Sequence, residues 1–275
     1  MLYDTHCHLN MMLRKDAGLY DIRDATDDEI KVVVQMAKEA GVSNIMQAGT
    51  FLSEIDREID ICKKFGDDDI KIFCAVANHP ENVKQVGVVE AGKLIDIARK
   101  SPYIKAIGET GLDTHREENY DFLKEQIRSF ENHIEACVAT NLPLIIHAYG
   151  LEAIEKSIDI VCNLAKQESF KFVFHCYDGT YEQAKQIADC GGIISFSGTV
   201  TFKKKTIVKD ILTRLPLDFI VIETDAPFLA PMPMRGKANE PSYIKYTAEF
   251  IANFLEMDYE KFCEKIMENS KRFFA

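Results

Sequence analysis

Leu142-Pro-Leu-Ile-Ile146 is a short apolar run that stops at His147, and beyond Ala148-Tyr-Gly150 a helically spaced segment with a charged face begins at 151–166. Five apolar residues are too few for a buried helix and suit a strand covered on both faces, so the unit is β then α. The same order repeats on either side. Apolar, β-rich runs fall at 2–5, 44–47, 70–76, 103–108, 171–174, 192–196 and 219–223. Helical patterns lie between them at 27–40, 54–64, 81–100, 117–140, 181–190 and 203–215. Gly41 and Gly191 follow helical stretches where a left-handed C-cap is needed, and Ala25-Thr-Asp-Asp-Glu29 offers an N-cap with early acidic residues. A repeated β-then-α order implies a parallel sheet. Eight units in 275 residues predict an α/β fold, a (β/α)8 TIM-type barrel. An open doubly wound sheet would carry fewer strands and a Gly-rich phosphate turn, and neither GxGxxG nor a Walker loop is present. After the eighth strand come a loop at 226–241 with four prolines and two helical stretches, 242–256 and 259–269. Nothing reads as a linker, so residues 1–275 are expected to form one barrel domain.

Bulk properties narrow the function. With 33 Lys and Arg against 44 Asp and Glu, the net charge of −11 excludes a broadly basic nucleic-acid-binding surface, and any phosphate contact has to be local. Met1-Leu-Tyr-Asp4 has no basic leader and no apolar stretch approaches the roughly 20 residues of a membrane span, which predicts a cytoplasmic protein without membrane contact. No obligate protein partner is evident. Eight cysteines scattered along the chain predict buried small hydrophobes rather than a disulfide framework.

The chemistry gathers at strand ends. In Asp4-Thr-His-Cys-His8 the two histidines are two residues apart on an extended segment, so both imidazoles project from one face. Glu109 follows the fourth strand, His147 the fifth, His175 the sixth, and Asp225 the eighth. Taken singly, each is equally at home as a satisfied polar residue. Together they sit where barrel enzymes place catalytic groups, on the open face formed by the βα-loops. Four imidazoles and two carboxylates suit Zn, Mn, Fe or Ni and are too many for one ion that keeps an open position. Two metals are therefore expected, and a pair of ions about 3.5–4 Å apart can bridge a hydroxide and clamp an in-line displacement.

These motifs resemble the TatD family of metal-dependent hydrolases, within the amidohydrolase-like barrels, over nearly the whole chain. The resemblance rests on Asp4-Thr-His-Cys-His-Leu9, Gly108-Glu-Thr-Gly-Leu-Asp113, Leu142-Pro-Leu-Ile-Ile-His147, Phe174-His-Cys176, and above all Glu223-Thr-Asp-Ala-Pro-Phe-Leu-Ala-Pro231 followed by Arg235-Gly-Lys-Ala-Asn-Glu-Pro241. It implies one metal held by His6, His8, Glu109 and Asp225 and another by Glu109, His147 and His175, with Glu109 bridging. It also implies that Asp225 orients or deprotonates the attacking water, with Glu223 supporting the ligands from behind. The cofactors expected are two divalent ions, Zn, Mg or Mn. Members of the family are deoxyribonucleases with 3′→5′ exonuclease action, and some remove D-amino acids from tRNA, so nucleic acid is the expected substrate. Hydrolysis of another ester or amide, on D-aminoacyl-tRNA or a small molecule, is the alternative.

The chain departs from the family pattern around the ligands. Ala77-Asn-His-Pro-Glu81 keeps His79, a candidate substrate contact, but has Glu81 where a second histidine is usual. Ala148-Tyr149-Gly150 replaces a segment that often supplies an Arg, Tyr177-Asp178 replaces Phe-Ser, and Thr114-His115 stands where a tyrosine is common. Arg235 and Lys237 are the remaining candidates for phosphate binding, and Lys203-Lys-Lys205 is a further basic run. Tyr177 and Phe228 could stack on a base. His133, between Glu131 and Glu135, is expected on the surface, and His115 has no assigned place.

Overall fold

The computed structural model describes residues 1–16 and 19–274. Its strands are β1 (Leu2–Cys7), β2 (Met11–Asp16), β3 (Leu19–Asp24), β4 (Val42–Gln47), β5 (Lys71–Val76), β6 (Ile104–Asp113), β7 (Leu144–Tyr149), β8 (Phe172–Phe174), β9 (Ile193–Phe196) and β10 (Ile220–Ile222). The helices are α1 (Asp27–Glu39), α2 (Ile55–Phe65), α3 (Val83–Val86), α4 (Ala91–Ala98), α5 (Glu117–Tyr120), α6 (Leu123–Thr140), α7 (Leu151–Leu164), α8 (Tyr181–Asp189), α9 (Thr206–Arg214), α10 (Ile244–Phe254) and α11 (Tyr259–Phe274). Eight strands pair in parallel in the order β1-β4-β5-β6-β7-β8-β9-β10, the (β/α)8 barrel expected from the repeat. The seam between β1 and β10 is stitched by the chain that follows them. Asp225 N donates to His6 O at 2.9 Å and His8 N to Ala226 O at 2.7 Å. The ring is thus closed at the level of the predicted ligands.

Burial explains the strand sequences. Tyr3, Met46, Ala75, Ala106, Ile145, Val173, Ile193 and Val221, one from each barrel strand, pack together with Met267, Phe273 and Phe274 of α11 and fill the barrel interior. A larger apolar layer lies between the strands and the helices. Side chains alternate along a strand, so two residues beyond Ile145, Val173 and Val221 the chain aims His147, His175 and Glu223 toward the same axis, above the packed interior. Among the described residues no helix is long and apolar enough to cross a membrane.

The local signals at helix ends are realised. Thr26 caps α1, its hydroxyl accepting from Glu29 N while the Glu29 carboxylate accepts from Thr26 N. Gly41 and Gly191 take positive φ of 84° and 87° after α1 and α8. Two expectations are corrected and one unforeseen element is present. The helical stretch 81–100 is broken by Gly87 at φ 71° into α3 and α4. An antiparallel ribbon, β2 with β3, sits between the first barrel strand and α1. Cys162 of α7 is disulfide-bonded to Cys190 at the end of α8, although the other described cysteines are free and mostly buried as expected.

His133 is the third correction, because it is fully buried rather than on the surface. It lies on the inner stripe of α6 with Gln126, Ser129, Phe130 and Cys137, the three-to-four spacing of one helix face. Its Nε2 accepts from Asn78 N at 3.2 Å while Nδ1 faces Ser129 O at 2.6 Å, so the neutral ring fastens the loop that carries His79. Burial, opposed by the Ser129 carbonyl, pushes its pKa down to about 4. The unfolded chain takes up that proton near 6.5, so this stability is whole above about pH 6.5, is lost as pH falls toward 4, and changes no further below. The full loss is on the order of 3 kcal/mol. The melting temperature of the protein is therefore expected to fall more steeply between pH 7 and 5 than that of His133→Gln. Parallel curves would show that His133 is not the group responsible.

Candidate metal centre

β6 and β7 run further than the sequence suggests, and the predicted ligands lie inside them rather than after them. Glu109 and Asp113 are both on β6, and His147 is on β7. Gly111, opposite His147, has φ 139°, and a Cβ there would lie 2.1 Å from the His147 carbonyl oxygen. Only glycine lets the two strands approach so closely beside the site. Asp225 adopts φ 56°, a left-handed conformation that Asp tolerates better than most residues.

The six predicted ligands converge on one carboxylate. Glu109 Oε2 lies 3.3 Å from His6 Nε2 and 3.7 Å from His8 Nε2, and Asp225 Oδ1 lies 3.6 Å from both of those nitrogens. Glu109 Oε1 faces the other way, 2.7 Å from His147 Nδ1, 2.7 Å from His175 Nε2 and 3.4 Å from His79 Nε2. His6, His8 and Asp225 form one group with ligand atoms near enough to share a cation, and His79, Glu109 and His147 another. His6, His175 and Glu223 form a third such group, with the His6 and His175 rings stacked 4.0 Å apart.

Each side chain is held from behind. Glu223, wholly buried, faces His175 Nδ1 at 3.3 Å and accepts from Cys176 N at 2.6 Å. Asp4 accepts from Thr224 N at 2.9 Å and from the Thr224 hydroxyl, tying β1 to the segment that carries Asp225. Asp113 Oδ2 meets His147 Nε2 at 3.0 Å, and its other oxygen accepts from His115 N and Asn119 Nδ2, each at 2.9 Å. Asp113 is the functional residue that the sequence reading missed. Its signal was alternation, since Glu109, Gly111 and Asp113 share one face of a strand read as ending at 108.

The residues present fit a cation. Burial raises the Glu109 carboxyl, but the surrounding His175, His6 and His79 outweigh it and hold the group well below the usual range. Burial likewise opposes ionisation of Asp113, yet His147 holds it down to about 2. Burial, helped by His175, lowers His6, which keeps its imidazole in the neutral form that ligates metals. The buried His6 Nε2, which faces Glu109 and Asp225, has no hydrogen-bond partner, a cost that binding a cation there removes. Burial works against protonation of His147, but Asp113 and Glu109 push it up to about 9. A cation among these groups replaces such protons.

Arg235 is exposed with its guanidinium stacked 4.3 Å over Phe202, and Lys237 is exposed on the same loop. Lys205 is paired with Asp178 rather than free. Tyr177 is buried, its hydroxyl donating to Thr180 O, and is not available for base stacking. Phe228 sits edge-on to His8 at 6.0 Å. Glu81 accepts from Asn119 Nδ2 at 3.3 Å and lies 3.8 Å from Arg116.

A family model described as TatD related DNase matches residues 3–275. An uncharacterized metal-dependent hydrolase of Bacillus subtilis (strain 168), YabD, is 33% identical over all of this chain and 99% of its own length. Two crystal structures show the same fold. A TatD homologue from Escherichia coli K12, YJJV, has a TM-score of 0.82 at 19% identity over 99% of this chain and 97% of that one. A TatD family hydrolase from Entamoeba histolytica has a TM-score of 0.79 at 22% identity, also over 99% and 97%. With its barrel and its clustered histidines and carboxylates, this chain belongs to the TatD family and is a metal-dependent hydrolase of that type.

Proposed function

We propose that the chain is a two-metal phosphodiesterase that trims DNA from its 3′ end. The observation that carries this reading is the division of Glu109, whose Oε2 serves the His6 and His8 side while Oε1 serves the His147 and His175 side. In this reading His6, His8 and Asp225 would hold one divalent ion and His147 and His175 the other, with Glu109 serving both. Such ions, when bound, polarise a phosphoryl oxygen and lower the pKa of an attacking water. Asp225, within 3.6 Å of both His6 and His8, takes that water's proton on its carboxylate. Glu223 and Asp113 fix which nitrogen His175 and His147 present. Exposed Arg235 and Lys237 supply local positive charge for the phosphates on an otherwise acidic protein.

The test is incubation of protein of known metal content with 3′-labelled single-stranded DNA and with D-aminoacyl-tRNA, in Mg, Mn or Zn. Stepwise release from the 3′ end supports the proposal. Cleavage of the aminoacyl ester alone moves the assignment to that bond, and cleavage of neither leaves small esters and amides as the substrate class. A narrower expectation concerns Asp113→Asn. It exchanges the carboxylate facing His147 for an amide and should weaken metal affinity at that side about 10- to 100-fold, read by competition with a chelator. Unchanged affinity would mean that Asp113 does not set the His147 ring.

A further inference from the structure

Two of the departures from the family pattern meet in space. The His115 ring stacks on the Tyr149 ring with centroids 4.1 Å apart and planes 16° from parallel. Tyr149 follows His147 by two residues on β7, so it faces the same side, and the two rings stand edge to face at 6.5 Å. His115 is exposed, and Tyr149 retains 47% of its surface. The pair is thus a flat aromatic step beside one of the predicted ligands, open to the solvent.

The step is built into the sheet. Asp113 pairs with Tyr149 across β6 and β7, and Thr114 N donates to Tyr149 O at 2.9 Å. His115 N donates to Asp113 Oδ1 at 2.9 Å, so the carboxylate that faces His147 also anchors the ring beneath Tyr149. Gly150 has φ 106°, and a Cβ there would lie 2.5 Å from Thr114 Oγ1, so only glycine lets the two segments close on each other. Thr114-His115 and Ala148-Tyr149-Gly150 are therefore one coupled feature rather than two separate losses.

We infer that His115 and Tyr149 form a stacking platform for the nucleobase next to the bond being cut, and that they set specificity for a base-bearing substrate. The inference rests on the phosphodiester reading. A phosphate placed among the ligands carries its sugar and base outward, and the first flat surface beyond His147 on that strand is Tyr149. Stacking on an aromatic face tolerates any base, so the platform distinguishes a base-bearing end from an abasic one rather than one base from another.

The experiment compares a short oligonucleotide ending in thymidine with one whose last residue is abasic. The protein should prefer the first about ten- to hundredfold, through KM rather than kcat. Tyr149→Ala should cut that preference by tenfold or more, Tyr149→Phe should keep it, and His115→Ala should reduce it in part. Calorimetric binding of thymidine 5′-monophosphate against 2-deoxyribose 5-phosphate, in metal-loaded protein, gives a reading independent of turnover. If neither oligonucleotide is cut, the phosphodiester reading fails alone. The platform then stands if the base-bearing monophosphate binds tighter in the protein and loses that advantage in Tyr149→Ala. Equal binding of the two monophosphates, or a preference that survives Tyr149→Ala, overturns it.

Discussion

On the two-metal proposal, Glu109→Gln is expected to lower hydrolysis by about three orders of magnitude and to leave one ion per chain or none. The side chain is 3% exposed and the replacement has nearly the same shape, so the fold should remain. The effect is chemical. A carboxylate offers two anionic acceptors, one to each group of histidines, whereas an amide offers one neutral acceptor and turns a donor toward the other side. The imidazoles on that side, 2.7 Å away in the case of His147 and His175, would meet an N–H in place of an oxygen. The charge stabilisation that a metal site supplies is several kcal/mol, and each 1.4 kcal/mol is tenfold in rate. Elemental analysis of the purified variant together with its turnover decides the matter. If Glu109→Gln binds the same number of ions and keeps more than a tenth of the rate, Glu109 does not join two sites and the division of its oxygens has another cause.

Much of this arrangement was legible because the barrel ties chemistry to periodicity. Strands buried on both faces must be short apolar runs, and the residue that ends each run is delivered to the open face. His6, His8, Glu109, His147, His175 and Asp225 therefore announced themselves by position before any distance was known. What stayed hidden had physical reasons. The ribbon of β2 and β3 packs too little apolar surface to write an alternating pattern, and its residues 21–24 are exposed. The break between α3 and α4 depends on one positive φ at Gly87, which valines on both sides disguise. His133 was misread because its neighbours two residues away were consulted, although a helix places those on other faces and positions 129, 130 and 137 on the same one. Asp113 was lost because β6 continues past its apolar run into the site itself. Polar strand residues at a barrel mouth look like the start of a loop.

Asp225→Asn tests a different part of the site from Glu109→Gln, and it should separate proton transfer from metal retention. Asn accepts a left-handed backbone at least as well as Asp, so the φ of 56° is not disturbed and the main-chain bond from Asp225 N to His6 O can persist. What changes is the carboxylate. Burial works to raise its pKa, but His8, His6 and His175 hold it below the usual range, so it is ionised at neutral pH. An amide cannot act as a base. General base catalysis by a positioned group contributes about 10² to 10⁴ in rate, and kcat should fall within that range. Metal on the His147 and His175 side should be retained, since no atom of Asp225 is among its nearest groups. The control is Glu223→Gln, which alters the support behind His175 and the acceptor for Cys176 N and should lower the rate by about 10- to 100-fold. If Asp225→Asn loses all metal, its role is ligation of both ions and not proton transfer. If it loses less rate than Glu223→Gln, the attacking water is oriented by another group, and the carboxylates nearest to the site, Glu109 and Asp113, become the ones to examine for that role.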